Sequence, residues 1–181
     1  MKYIGLKLSR QTLKLVFRYI HMTLREETDA PDFKGAVENG KLIGLTEYLG
    51  KTNIVLYFYP KDNSPGCTRE ACKFRDEFEE FSKLDAVIIG VNRGSLDSHK
   101  RFREKRELPF EIISDSGGEI YKAYDVKGGI LSERVTYIID KKGKIRGVFN
   151  SQLKYLEHPD FAKRVLSVIA KESDSLEKKI N

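Results

Sequence analysis

Both thiols of the 181-residue chain, Cys67 and Cys72, stand where an apolar run gives way to a turn and then to a helical pattern. The run Val55-Leu56-Tyr57-Phe58-Tyr59 passes through Pro60-Lys61-Asp62-Asn63 into Ser64-Pro65-Gly66-Cys67-Thr68-Arg69-Glu70-Ala71-Cys72. Ser64 reads as the residue capping a helix and Pro65 as its first member, where a missing N–H costs nothing. Cys67 then occupies the third helical position. A helix start presents unpaired N–H groups and the positive end of the macrodipole, and both favour a thiolate. That matters because a free thiol, with a pKa of ~8.5, is only about 3% ionised at pH 7, and the thiolate is the reactive form. The chemistry on offer at Cys67 is nucleophilic attack by sulfur. Cys72, taken alone, has a small buried hydrophobe as its alternative reading.

Composition narrows the setting. Hydrophobic residues make up 40% and charged residues 33% of the chain, as in a globular protein with a core of its own. The net charge of +6 is concentrated at one end: residues 1–24 hold five basic residues and no acid. The rest of the chain is near neutral, which argues against a nucleic-acid-binding face. Two cysteines cannot staple a chain of this length, and no four-ligand Cys/His zinc pattern exists. His21, His99 and His158 are far apart in sequence. No metal, cofactor or stable membrane insertion is expected, the apolar runs being far short of the ~18 residues a spanning helix needs. A reducing, cytoplasmic compartment follows, with an organelle as the alternative if residues 1–24 are a transit peptide. Those residues read also as an appended helix, or as an upstream start with Met22 the true beginning.

The elements that must position Cys67 follow from periodicity. Residues 26–51 read as mostly loop, with a short strand at Lys41–Leu45 and a helical turn at Thr46–Leu49. Asn53–Tyr59 and Ala86–Val91 read as buried strands. One helix is expected from Pro65 to about Leu84, with Phe74, Phe78 and Phe81 inward. Further helices are expected over Ser95–Glu107, Gly117–Tyr124 and Pro159–Lys171, and a strand over Glu111–Ile113. Val135–Asp140 and Lys144–Phe149 flank a hairpin turn. Strands alternating with helices predict an α/β fold with a mixed central sheet covered on both faces. The organisation expected is one domain over residues 25–172, a basic extension before it and a polar tail over 173–181.

The pattern Pro60-x-x-x-Ser64-x-x-Cys67, followed by Thr68-Arg69-Glu70-Ala71-Cys72-x-Phe74-Arg75-Asp76, resembles the active-site segment of peroxiredoxins. The nearest subgroup is the bacterioferritin comigratory protein, or peroxiredoxin Q, type. The similarity continues through Ala30-Pro31-Asp32-Phe33, Gly90-Val91, His99-x-x-Phe102, Leu108-Pro109-Phe110, Ser114-Asp115 and Arg134–Asp140, covering roughly residues 28–172. The resemblance implies a thioredoxin-like fold and a thiol peroxidase. Within it Cys67 matches the peroxidatic cysteine, Ser64 the hydroxyl that binds cysteine and peroxide (many relatives have Thr), Pro60 the residue shielding the sulfur, and Arg134 the active-site arginine. Cys72 matches the resolving cysteine of relatives that carry it five residues on. Read without the family, Arg134 would pass for a surface salt-bridge partner.

On an intact helix, residues five apart have Cα atoms about 8.6 Å apart, beyond the roughly 7 Å a disulfide spans. The implied Cys67–Cys72 bond therefore requires the first turns to unwind. A thioredoxin- or glutaredoxin-type dithiol would reduce it, and the subgroup implies a monomer or weak dimer. Rival readings are a thioredoxin-like disulfide oxidoreductase, which would favour Cys-x-x-Cys, a Sco-type copper chaperone, and a redox-regulated interaction protein. Arg75 and Asp76 read as a surface pair or brace, Glu70 as a residue favouring the helix dipole, and His99 and His158 as solvated or capping residues.

Overall fold

The computed structural model describes residues 26–128 and 132–180, with side chains as far as residue 175. The extension expected over residues 1–24 lies outside the described residues. Seven strands form one sheet: β1 (Lys34–Ala36), β2 (Leu42–Gly44), β3 (Asn53–Phe58), β4 (Ala86–Asn92), β5 (Glu111–Ser114), β6 (Val135–Ile139) and β7 (Ile145–Asn150). Their order across the sheet is β2-β1-β5-β4-β3-β6-β7. β3, β4 and β5 run parallel, whereas β6 is antiparallel to β3 and β7 to β6. This is the mixed sheet that the alternation of strands and helices predicts.

β3 is central, and all six of its residues are buried. A strand covered on both faces needs apolar side chains at every position, not at alternate ones. Ile54, Leu56 and Phe58 pack into one layer with Val135, Tyr137 and Tyr124. Val55 and Tyr57 join Phe74, Phe81, Phe102 and Leu166 in the other. Helix α4 (Glu119–Ala123) supplies the first layer. The second is built from α1 (Pro65–Asp76), α2 (Phe78–Lys83), α3 (Leu96–Arg106) and α5 (Glu157–Ile180).

Three expectations change. The helix beginning at Pro65 is two helices, broken at Glu77, whose ψ of 11° leaves the helical region. The break lets Phe81 return onto Phe74, with ring centroids 5.6 Å apart; an unbroken helix would separate these positions by about 10.5 Å along its axis. The stretch read as loop contains β1, which pairs with β2 and β5. A strand of Lys-Gly-Ala has no periodicity to betray it and exists through its neighbours' hydrogen bonds. Finally, α5 starts two residues early and continues to Ile180, so the polar residues 173–180 prolong a helix.

The β1–β2 hairpin is tightly seated at Gly44. A Cβ there would lie 2.5 Å from the Phe33 carbonyl oxygen, a backbone atom that cannot rotate away. Gly44→Ala is expected to cost about 1–3 kcal/mol, read as a lower urea midpoint with an unchanged slope. An unchanged midpoint would show that the hairpin shifts freely.

Candidate active site

The turn from β3 into α1 is shaped by Asn63, whose φ of 57° is left-handed, a conformation that asparagine tolerates better than most residues. Ser64 takes the N-cap position and Pro65 the first helical one. The Ser64 hydroxyl, however, donates to the Lys61 carbonyl oxygen at 3.0 Å and makes no hydrogen bond to the helix start. Pro60 is half-buried at the head of the turn.

Just behind it a buried carboxylate holds the turn down. Asp62 accepts from the Tyr59 hydroxyl at 2.6 Å and the Ser98 hydroxyl at 2.6 Å, and meets His99 Nδ1 at 2.8 Å. Burial pushes its carboxyl up, but His99, Ser98 and Tyr59 together outweigh that and hold it below its usual range. His99 is thus fully buried, not solvated as its sequence context suggests. The His99–Asp62 contact joins α3 to the turn that presents the thiol.

Cys67 is 2% exposed. It shares a buried cluster with Tyr57, Tyr59 and Phe74, in which Tyr57 packs 5.3 Å from Tyr59 and 4.9 Å from Phe74, measured between ring centroids. Among the described residues, one polar side chain is hydrogen-bonded to the sulfur. Arg134, the residue before β6, is 3% exposed and donates from Nη2 to Cys67 Sγ at 3.2 Å. Its Nη1 donates to Glu70 Oε2. Cys67 and Glu70 are three residues apart on α1 and so share a face, which lets one planar guanidinium span both. Glu70 is therefore no mere dipole partner; it is fully buried and anchors the arginine. Its sequence signal was the Cys-x-x-Glu spacing, uninformative until the arginine's position is known.

Burial of Arg134 lowers its basicity, yet the charges of Glu70 and Cys67 and hydrogen bonds to both outweigh this and raise it. Complete burial pushes the Glu70 carboxyl up to about 8, with Arg134 offsetting only part of the rise. Glu70 Oε1 has no hydrogen-bond partner among the described residues and lies 3.7 Å from His158 Nδ1. His158, expected to be solvated or capping, is also fully buried. Its Nδ1 lies 2.8 Å from the Thr136 hydroxyl and its Nε2 3.0 Å from the Ser151 carbonyl oxygen. Because a carbonyl can only accept, Nε2 carries the proton and Nδ1 accepts from Thr136. Burial drives His158 down to about 4, against the Ser151 hydrogen bond and with help from the Arg134 charge.

Cys72 is half-buried in the intact α1, and both thiols are free. Arg75 bonds Asp76 at 2.9 Å and caps the Arg106 carbonyl at 2.7 Å, a brace between α1 and the end of α3. Among the described residues, no three His, Cys, Asp or Glu side chains converge to hold a metal, and no helix is long and apolar enough to cross a membrane.

A buried thiol in the first turn of a helix, docked on a mixed sheet beneath an arginine that immediately precedes a distant strand, defines a thioredoxin-fold protein of thiol-redox chemistry. The AhpC/TSA family model matches residues 27–148. The chain is 36% identical to the chloroplastic peroxiredoxin Q of Populus jackii, covering 91% of this chain and 81% of that one. It is 45% identical to the peroxiredoxin Bcp of Bacillus subtilis, covering 68% and 83% respectively. The crystal structure of the peroxidoxin BcpB of Mycobacterium tuberculosis superposes with a TM-score of 0.77 at 30% identity, over 81% of this chain and 98% of that one. The chain belongs to the AhpC/TSA family, in its peroxiredoxin Q/Bcp group, and is a thiol-dependent peroxidase.

The buried histidine makes stability pH-dependent. An unfolded histidine titrates near 6.5, whereas His158 stays neutral down to about 4. Between these values the unfolded chain holds the extra proton, so the contribution of His158 is intact above the window and is lost as pH falls through it. The total is on the order of 3 kcal/mol. Urea unfolding of wild type and His158→Asn should show their stability difference shrinking by about that amount from pH 6.5 to 4; a constant difference would contradict it.

Proposed function

We propose that Cys67 is the peroxidatic cysteine and Arg134 the arginine that activates it, within a peroxiredoxin domain over residues 25–172. The observation that carries this reading is the 3.2 Å contact from Arg134 Nη2 to Cys67 Sγ. The thiolate attacks one peroxide oxygen, the O–O bond breaks, and the displaced oxygen leaves as hydroxide or alkoxide and takes up a proton. Cys67 becomes a sulfenic acid. Arg134 remains charged throughout and offers donors beyond those engaged by the sulfur and Glu70. These stabilise charge moving onto the peroxide oxygens, where electrostatic catalysis gains most. Pro60 shields the sulfur from water. Ser64 would supply a hydroxyl to thiol and peroxide once it turns from the Lys61 carbonyl. Hydrogen peroxide and organic hydroperoxides are both within this chemistry.

Cys72 is the resolving thiol in this reading. It attacks the Cys67 sulfenic sulfur, water leaves, and an intramolecular disulfide forms after α1 unwinds. A thioredoxin- or glutaredoxin-type dithiol then reduces that disulfide and is itself oxidised. The working unit is a monomer or weak dimer. The compartment is the cytoplasm; the alternative, an organelle, draws support from the acid-free residues 1–24 and the chloroplastic relatives, and N-terminal sequencing of the natural protein decides between them.

Peroxide consumption with a dithiol reductant tests the assignment. Cys67→Ser should fall to the background of reductant alone. Cys72→Ser should still form one sulfenic acid per chain yet yield no intramolecular disulfide on peptide mapping. Full turnover in Cys67→Ser would overturn the reading. Insulin reduction without peroxide turnover would favour a disulfide oxidoreductase instead.

A further inference from the structure

Tyr155 lies between β7 and α5, outside every motif that carries the family resemblance. Its ring centroid is 5.8 Å from the guanidinium carbon of Arg134. A methyl group placed on Gly66, the neighbour of Cys67, would come within 3.3 Å of ring carbon Cδ1. The ring therefore covers both the arginine and the backbone beside the sulfur. Its hydroxyl accepts from Arg69 Nη1 at 3.0 Å. Further along, Lys73 donates to the Leu156 carbonyl oxygen at 2.8 Å and to Asp160 at 2.6 Å. Gly66, Arg69 and Lys73 are spaced three and four residues apart and form one stripe of α1. The segment from Tyr155 to Asp160 follows that stripe, with Tyr155 at the end nearest the thiol.

The tyrosine thus has two effects of opposite consequence. Its ring braces the arginine against the sulfur, which favours attack on peroxide. Its hydroxyl ties Arg69 to the loop before α5, which opposes the unwinding that takes Cys67 out of its pocket. We propose that Tyr155 is a positioning residue that sets how fast oxidised Cys67 leaves Arg134 to be met by a second thiol. The proposal rests on Cys67 being the peroxidatic sulfur, but not on which thiol resolves it.

The test uses the full chain carrying Cys72→Ser, oxidised with one equivalent of hydrogen peroxide and mixed with excess thionitrobenzoate. The sulfenic acid and this thiol form a mixed disulfide and water, and the loss of thionitrobenzoate absorbance times the emergence of Cys67. Tyr155→Phe keeps the ring and removes the hydroxyl. It should speed capture about fivefold, the worth of one hydrogen bond, and by more than it alters the rate with peroxide. Arg69→Met should speed capture similarly, and the double variant should add nothing further, since both remove one contact. Tyr155→Leu removes the brace as well and should slow the reaction with peroxide about threefold or more. A capture rate unmoved by Tyr155→Phe, or independent effects that add in the double variant, would overturn the proposal. Absence of any sulfenic acid on Cys67 would instead overturn the peroxidatic assignment beneath it.

Discussion

The structure depends on a single guanidinium held between a thiol and a buried carboxyl group where water scarcely reaches. Arg134 is 3% exposed and serves Cys67 with one amino group and Glu70 with the other. A lone cation buried so deeply would be costly. Its two partners sit on one helix face, so the arginine that reaches the sulfur also fastens α1 to the sheet. The sulfur's hydrogen bond and the docking of the helix are one interaction, so loosening the helix strips the sulfur of its donor.

The surroundings keep that guanidinium in register from several directions. β6 delivers Arg134 by pairing antiparallel with β3, the strand that leads into the thiol-bearing turn; Val135 lies opposite Phe58. His158, at the start of α5, ties β6 to the loop after β7 through Thr136 and Ser151. Asp62 binds the turn to α3. Each of these contacts limits how far the sulfur and the arginine can drift apart.

Much of this was legible in the sequence because local chemistry agrees with the fold. The fully apolar β3 run, the Ser-Pro-Gly-Cys helix start and the turn between β6 and β7 each announce themselves within a few residues. Arg134 was legible only through resemblance, since nothing in its own neighbourhood distinguishes it from a surface cation. Glu70, His99 and His158 were misread for a common reason. A charged or titratable residue is expected outside unless its partner is known, and all three partners come from distant parts of the chain. β1 was missed because Lys34-Gly35-Ala36 has no pattern of its own. The break at Glu77 escaped because Phe74, Phe78 and Phe81 fit an unbroken helix as well as a broken one.

That break has a mechanical consequence. Helix melting spreads readily along a continuous hydrogen-bond ladder, and a single helix from Pro65 to Lys83 would offer no natural stopping point. With Glu77 outside the helical region, α2 begins as a separate element, secured by the fully buried Phe81. A melting front entering at Pro65 meets a boundary after Asp76, with Cys67 and Cys72 both on the near side.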